Sequence, residues 1–226
     1  VQKYANKGIR YINHDGKEEL QTYEQLFEKA KCILHGLRNN NILPGNPVIL
    51  QIKRLNDYFS VFWGCVLGGI IPVTVAVAPA FDERNGIIDK LCGIWQLLNK
   101  PPIVTSSDLC LSLKGLERIV EMNGIEVLSV DELKLNHAIH DIYYANPDEI
   151  LFYQLTSGST GIPKCIQETH CSVVCHIIAS QQHNNYCEQD ITLNWLPMDH
   201  VVPILTFHLK DIYLGCNQIE VPTEII

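Results

Sequence analysis

The chain has 226 residues, 46% of them hydrophobic and 19% charged, enough apolar material to bury a sizeable core and too much for a disordered tail. A net charge of −8, from 17 basic and 25 acidic residues with no Lys/Arg cluster, argues against nucleic acid as the main partner, because backbone binding needs a basic stripe. Nine cysteines, odd in number and irregularly spaced, do not form a disulfide framework and point to a reducing cytoplasm; the polar first twenty residues do not read as a secretory signal.

In chain order, residues 1 to 20 hold short, turn-punctuated pieces such as Arg10-Tyr-Ile-Asn, with a turn at Asp15-Gly16. Thr22 followed by Gln25 makes a capping box, and Leu26, Ala30, Ile33, Leu34 and Leu37 recur at helical spacing. A helix over 23–38 is therefore predicted, stopped by Asn39-Asn40-Asn41 and Pro44-Gly45. Val48 to Ile52 reads as a buried strand, Asp57 to Leu67 as an apolar helix, Ile70 to Val75 as a strand and Asn85 to Asn99 as a helix. Ile103-Val-Thr, a helix near Leu109 to Met122 and Glu126-Val-Leu continue the alternation. Residues 60–81 carry no charge over about the length that crosses a bilayer, but Gly68, Gly69 and Pro72 interrupt them. They read as a buried helix, a turn and a buried strand, with no membrane span.

Residues 134–148 are weakly patterned and suggest a connection between possible halves, 1–135 and 145–226. Ile150 to Leu155 is a further buried strand; Cys171 to Gln181 follows as a helix, Thr192-Leu-Asn-Trp as a strand, Pro203 to Tyr213 as a helix opened by proline, and Gln218 to Val221 as a last strand. Strands alternating with helices predict an α/β fold, mostly parallel sheets covered by helices on both faces. Ligands in such folds bind beyond the carboxyl ends of the strands.

At one of those ends lies the stretch richest in chemistry, Thr156-Ser157-Gly158-Ser159-Thr160-Gly161-Ile-Pro-Lys164. Gly158 and Gly161 allow backbone N–H groups to converge on an anion without a Cβ in the way, four hydroxyls add donors, and Lys164 adds a mobile positive charge. The run is no Walker P-loop, since it lacks the Gly-Lys-Ser/Thr ending. A plain polar turn accounts for Gly158 and Ser159 but not for strand, hydroxyls, glycines, proline and lysine in one register.

That run resembles the signature loop of the adenylate-forming superfamily, which includes acyl-CoA synthetases, fatty acyl-AMP ligases, luciferases and the adenylation domains of nonribosomal peptide synthetases. Gln21-Thr-Tyr-Glu-Gln-Leu-Phe-Glu-Lys-Ala, Gly64-Cys-Val-Leu-Gly-Gly-Ile-Ile-Pro-Val and Trp195-Leu-Pro-Met-Asp-His200 extend the resemblance over essentially the whole chain. It implies that residues 1–226 are the N-terminal portion of the family's large subdomain, with the C-terminal subdomain absent. The elements for adenine, Mg2+ and ribose and a catalytic lysine are then expected beyond Ile226, so no catalytic residue is expected within the fragment and it is expected to be inactive alone. The implied chemistry joins a carboxylic acid to ATP, releases pyrophosphate, and passes the acyl group to the phosphopantetheine of a carrier protein in a peptide or polyketide assembly line. By the resemblance, Thr156, Ser157, Gly158, Ser159, Thr160, Gly161 and Lys164 hold the ATP phosphates, although Cys165 stands where a glycine is usual.

His200 then corresponds to a histidine that borders the acyl pocket in acyl- and aryl-activating relatives, its alternative being a hydrogen-bonded core histidine. Val201 falls where amino-acid-activating domains place an aspartate for the substrate ammonium. A buried valine cannot pair a cation, which implies a substrate without an α-amino group: an aryl, fatty or α-keto acid. Asp199, two residues away, reverses the inference if the register is in error.

Two other readings remain. One is a freestanding acyl-CoA or fatty acyl-AMP ligase with coenzyme A as acceptor; the other is a non-catalytic nucleotide-binding or scaffolding module. The cluster His170-Cys171-x3-Cys175-His176, with His183 and Cys187 beyond, has adjacent pairs that diverge around a helix and no paired CxxC, so core-facing cysteines are expected there and no metal site.

Overall fold

The computed structural model describes residues 6–13, 15–156 and 164–225. Among the described residues, ten strands form two sheets. The first is ordered β2-β1-β10-β9, from β1 (Gly8–Ile12), β2 (Glu18–Thr22), β9 (Ile191–Asn194) and β10 (Asn217–Glu220). The second is ordered β6-β5-β3-β4-β7-β8, from β3 (Pro47–Gln51), β4 (Ile71–Thr74), β5 (Ile103–Thr105), β6 (Val127–Ser129), β7 (Ile150–Thr156) and β8 (Lys164–Thr169). Every pairing is parallel except two at sheet edges, β1 with β2 and β7 with β8. The strand pairing crosses the possible halves 1–135 and 145–226: β1 lies beside β10, and β4 beside β7.

The capping box at Thr22 and Gln25 starts α1 (Tyr23–Asn39) as expected, each side chain bonding the other's backbone N–H. Its buried stripe of Leu26, Ala30, Ile33, Leu34 and Leu37 packs on α2 (Leu55–Leu67), and each such aliphatic side chain contributes roughly 1.5–3 kcal/mol. Gly69 turns the chain from α2 into β4 at φ +64, and a Cβ there would stand 2.4 Å from the Tyr143 ring. Residues 60–81 are thus a buried helix, a turn and a strand, and among the described residues no helix is long and apolar enough to cross a membrane.

Strand β3 shows why two cores form. Val48 and Leu50 face a cluster with Phe59, Phe62 and Ile204, whereas Ile49 faces the opposite cluster with Ile88, Leu91 and Trp95 of α3 (Gly86–Leu97). That is the period-2 alternation of a strand covered on both faces.

Three expectations are corrected. The helix near Leu109 to Met122 is broken into α4 (Cys110–Lys114) between 3-10 turns at Ser107–Leu109 and Gly115–Arg118, and α5 (Val130–Lys134) follows β6. Strand β8 was not anticipated, because Lys164, Ile166 and Gln167 are exposed at a sheet edge, where no apolar run is needed. Beyond α6 (His170–Asn184), the helix expected from Pro203 begins at Val202 with wide π-type turns to Leu209 and tightens into α7 (Lys210–Leu214).

The π-type segment ends on a hydrogen-bond relay in the core. Trp63 Nε1 can only donate, and it lies 2.9 Å from His208 Nε2. Nδ1 of His208 therefore carries the proton and donates to Gln218 Oε1 at 2.9 Å. Gln218 Nε2 donates to the Tyr23 hydroxyl at 2.8 Å, which donates to the Cys216 carbonyl at 2.6 Å. Phe59 stacks on the imidazole with ring centroids 3.8 Å apart.

Candidate functional site

Strands β3, β4 and β7 run parallel, so Gln51, Thr74 and Thr156 end on one edge of the second sheet. Against this edge stand the segments that follow β9 and β10. Together they form a cleft of about 230 Å3 lined by Ile52, Lys53, Tyr58, Val75, Met198 and Asp199, among others. This is the place where a doubly covered parallel sheet receives ligands, since backbone groups at strand ends are not consumed by the ladder. The Tyr58 hydroxyl is 2.8 Å from Thr74 Oγ1, and burial holds its phenol well above the ordinary range, which makes it a neutral polar wall.

The hairpin of β7 and β8 carries the loop singled out in the sequence. Thr156 pairs directly with Lys164 in the antiparallel register, so both side chains share one face of the sheet at the loop's stem. Ser157, Gly158, Ser159, Thr160 and Gly161 lie outside the described residues. Thr156 is half-buried and Lys164 exposed. Cys165 pairs with Leu155 and packs on the second core cluster, and burial raises its thiol pKa. The stem is joined to the cleft by buried Gln154, two residues before Thr156, whose Nε2 donates to the Asp199 carbonyl at 3.0 Å.

His200 and Val201 do not line the cleft. His200 is exposed and its backbone N–H closes a turn onto the Pro197 carbonyl at 3.1 Å, so it is not the core histidine of the alternative reading; that role falls to His208. Val201 is 36% exposed rather than buried, because Pro203 and Ile204 take the inward positions of the following turn. Asp199, in contrast, faces the cleft, and its Oδ2 lies 3.9 Å from Lys90 Nζ on α3. Sequence reasoning missed Lys90 and Gln154. The stripe Ile87, Leu91, Ile94 and Leu98 marks which face of α3 is apolar but not where an adjacent lysine reaches.

Among the described residues no three His, Cys, Asp or Glu side chains converge on a metal-sized point. Cys171 and Cys175 are exposed rather than core-facing, since the buried stripe of α6 is Val173 and Ile177.

A family model described as AMP-binding enzyme matches residues 2–223. The chain belongs to the AMP-binding enzyme family. Aspulvinone E synthetase melA of Aspergillus terreus is 32% identical over 209 residues, 89% of this chain and 21% of that protein. The solved structure of McyG A-PCP complexed with phenylalanyl-adenylate superposes with a TM-score of 0.95 at 37% identity, over 99% of this chain and 35% of that one. The adenylation domain of a keto acid-selecting NRPS module bound to keto acyl adenylate superposes with a TM-score of 0.93 at 33% identity, over 99% of this chain and 40% of that one. The chain spans about a quarter of the length of the curated AMP-binding relatives it matches.

Proposed function

We propose that the protein containing this chain activates a carboxylic acid with ATP, forming an acyl-adenylate and pyrophosphate, and delivers the acyl group to the phosphopantetheine thiol of a carrier domain. A carboxylate is a poor electrophile, and adenylation gives it a good leaving group. The reaction needs donors around the departing phosphates and an acid held close to them. In this reading Thr156 to Lys164 supply the donors: the glycine-flanked backbone N–H groups and hydroxyls wrap the outer phosphates, and Lys164 offsets their charge. The observation that carries the reading is the join between stem and cleft, in which Gln154 ties β7 to Asp199. On this reading a phosphate clamp and the acid pocket share one edge of one sheet.

The favoured substrate lacks an α-amino group, as aryl, fatty and α-keto acids do. The two solved relatives differ on this point, one holding phenylalanyl-adenylate and the other a keto acyl adenylate. The carboxylate lining this cleft, Asp199, already faces the cation of Lys90, and a substrate ammonium would have to displace it. This supports the second class and removes the need for Val201 to be buried. Coenzyme A as acceptor is the runner-up.

In the full-length protein, Lys164→Ala combined with Thr160→Ala slows ATP–pyrophosphate exchange at least about tenfold, or about 1.4 kcal/mol of barrier. Exchange at the unaltered rate contradicts the phosphate role. A substrate panel in which an α-amino acid outperforms every carboxylic and keto acid contradicts the substrate class while leaving the phosphate role intact.

A further inference from the structure

Helix α6 carries two thiols that neither the cleft nor the core uses. Cys171 and Cys175 are both exposed, and their sulfurs lie 3.9 Å apart across one helical turn. Spacing of i and i+4 places the two side chains one above the other on the same face. Among the described residues no other two cysteine sulfurs lie within hydrogen-bonding distance of each other.

That separation is within easy reach of a chelate. Two thiolates bound to one centre at about 2.3 Å stand about 3.8 Å apart at a tetrahedral angle and about 3.4 Å apart at the narrower angle of a pyramidal centre, so a small rotation of each side chain closes the pair. A direct disulfide needs them at about 2.05 Å, which a rigid helical turn does not reach without moving. We propose that Cys171 and Cys175 form a bidentate site for a thiophilic metal or metalloid centre, one that needs only two protein ligands. Among the described residues no third His, Cys, Asp or Glu joins the pair, and His176, the nearest histidine in sequence to Cys175, lies 3.5 Å from Ser180 instead. A monosubstituted trivalent arsenical satisfies this demand, because its third bond is already taken by carbon. Two S–H bonds break, two S–As bonds form, and the arsenical oxygen leaves as water with both protons; no oxidation state changes.

Both thiols sit in the first two turns of α6. The shared hydrogen bond to Cys175 raises the pKa of Cys171, a cost that disappears once a bound centre replaces both protons.

The test uses the full-length protein with phenylarsine oxide as probe, followed by alkylation with N-ethylmaleimide and peptide mass mapping. One equivalent of arsenical is expected to protect Cys171 and Cys175 together, with reversal by a dithiol but not by a monothiol. In Cys171→Ser or Cys175→Ser the remaining thiol loses protection at least about tenfold, since the second bond no longer forms within one molecule. Cys187→Ser, which alters an exposed thiol elsewhere, leaves the protection in place. Equal alkylation with and without the arsenical overturns the proposal, as does full protection of the lone thiol in both single variants.

Discussion

Lowering the pH from 7 to 5 should strain the buried relay at His208 in a measurable way. Desolvation in the core pushes the imidazole down to about 3 from its usual 6.5, only partly opposed by the hydrogen bond to Gln218. Between those values the unfolded chain binds a proton that the folded chain refuses, so stability present above pH 6.5 is lost as pH falls toward 3. At 1.36 kcal/mol per unit, the loss from this residue between pH 7 and pH 5 is about 2 kcal/mol. Glu220 titrates in the opposite sense: burial raises its carboxyl to about 8 from 4.5, so its contribution falls as pH rises through that window. The two trends offset each other in the wild-type curve, and only a difference against a His208 variant isolates the imidazole. His208→Asn keeps an amide N–H for Gln218 but leaves the Trp63 N–H unpaired, a cost of about 1–3 kcal/mol that does not depend on pH. Urea unfolding of both proteins at pH 7 and pH 5 should show the gap between them shrinking by about 2 kcal/mol at the lower pH, near 1 M in midpoint for a slope of about 2 kcal/mol/M. A gap that stays constant would refute the assignment of a neutral, doubly hydrogen-bonded imidazole.

Two further outcomes follow from particular side chains. Glu220→Gln removes a carboxyl that must ionise inside the protein while keeping the acceptor for Asn194 Nδ2, and should raise the unfolding free energy at pH 8 by about 4 kcal/mol while changing little at pH 4.5, read from urea unfolding at both values. Gly69→Ala places a Cβ against the Tyr143 ring at a positive φ and should lower stability by about 1–3 kcal/mol; Tyr143→Ala in the same background should recover part of that loss, separating the clash from the backbone strain.

What the sequence by itself determined is local. The capping box set the start of α1, the period of Leu26 to Leu37 set its buried face, and the unbroken apolar run Val48 to Leu50 announced a buried strand. The glycine- and hydroxyl-rich run at Thr156 was legible because few other demands bring those residue types together in that order. Tertiary structure alone decided which distant segments meet. Nothing in Gly8 to Ile12 names Asn217 to Glu220 as its neighbour, and a polar edge strand such as β8 leaves no apolar trace. Lys90 reaches Asp199, Gln154 holds that turn, and His208 enters the core instead of His200, because packing chooses which side of a helix or turn is covered. The same choice turned Val173 and Ile177 inward and left Cys171 and Cys175 at the surface, side by side. Periodicity is written in neighbouring residues, whereas partnership is a free-energy decision among elements far apart in the chain, and only the assembled sheets express it.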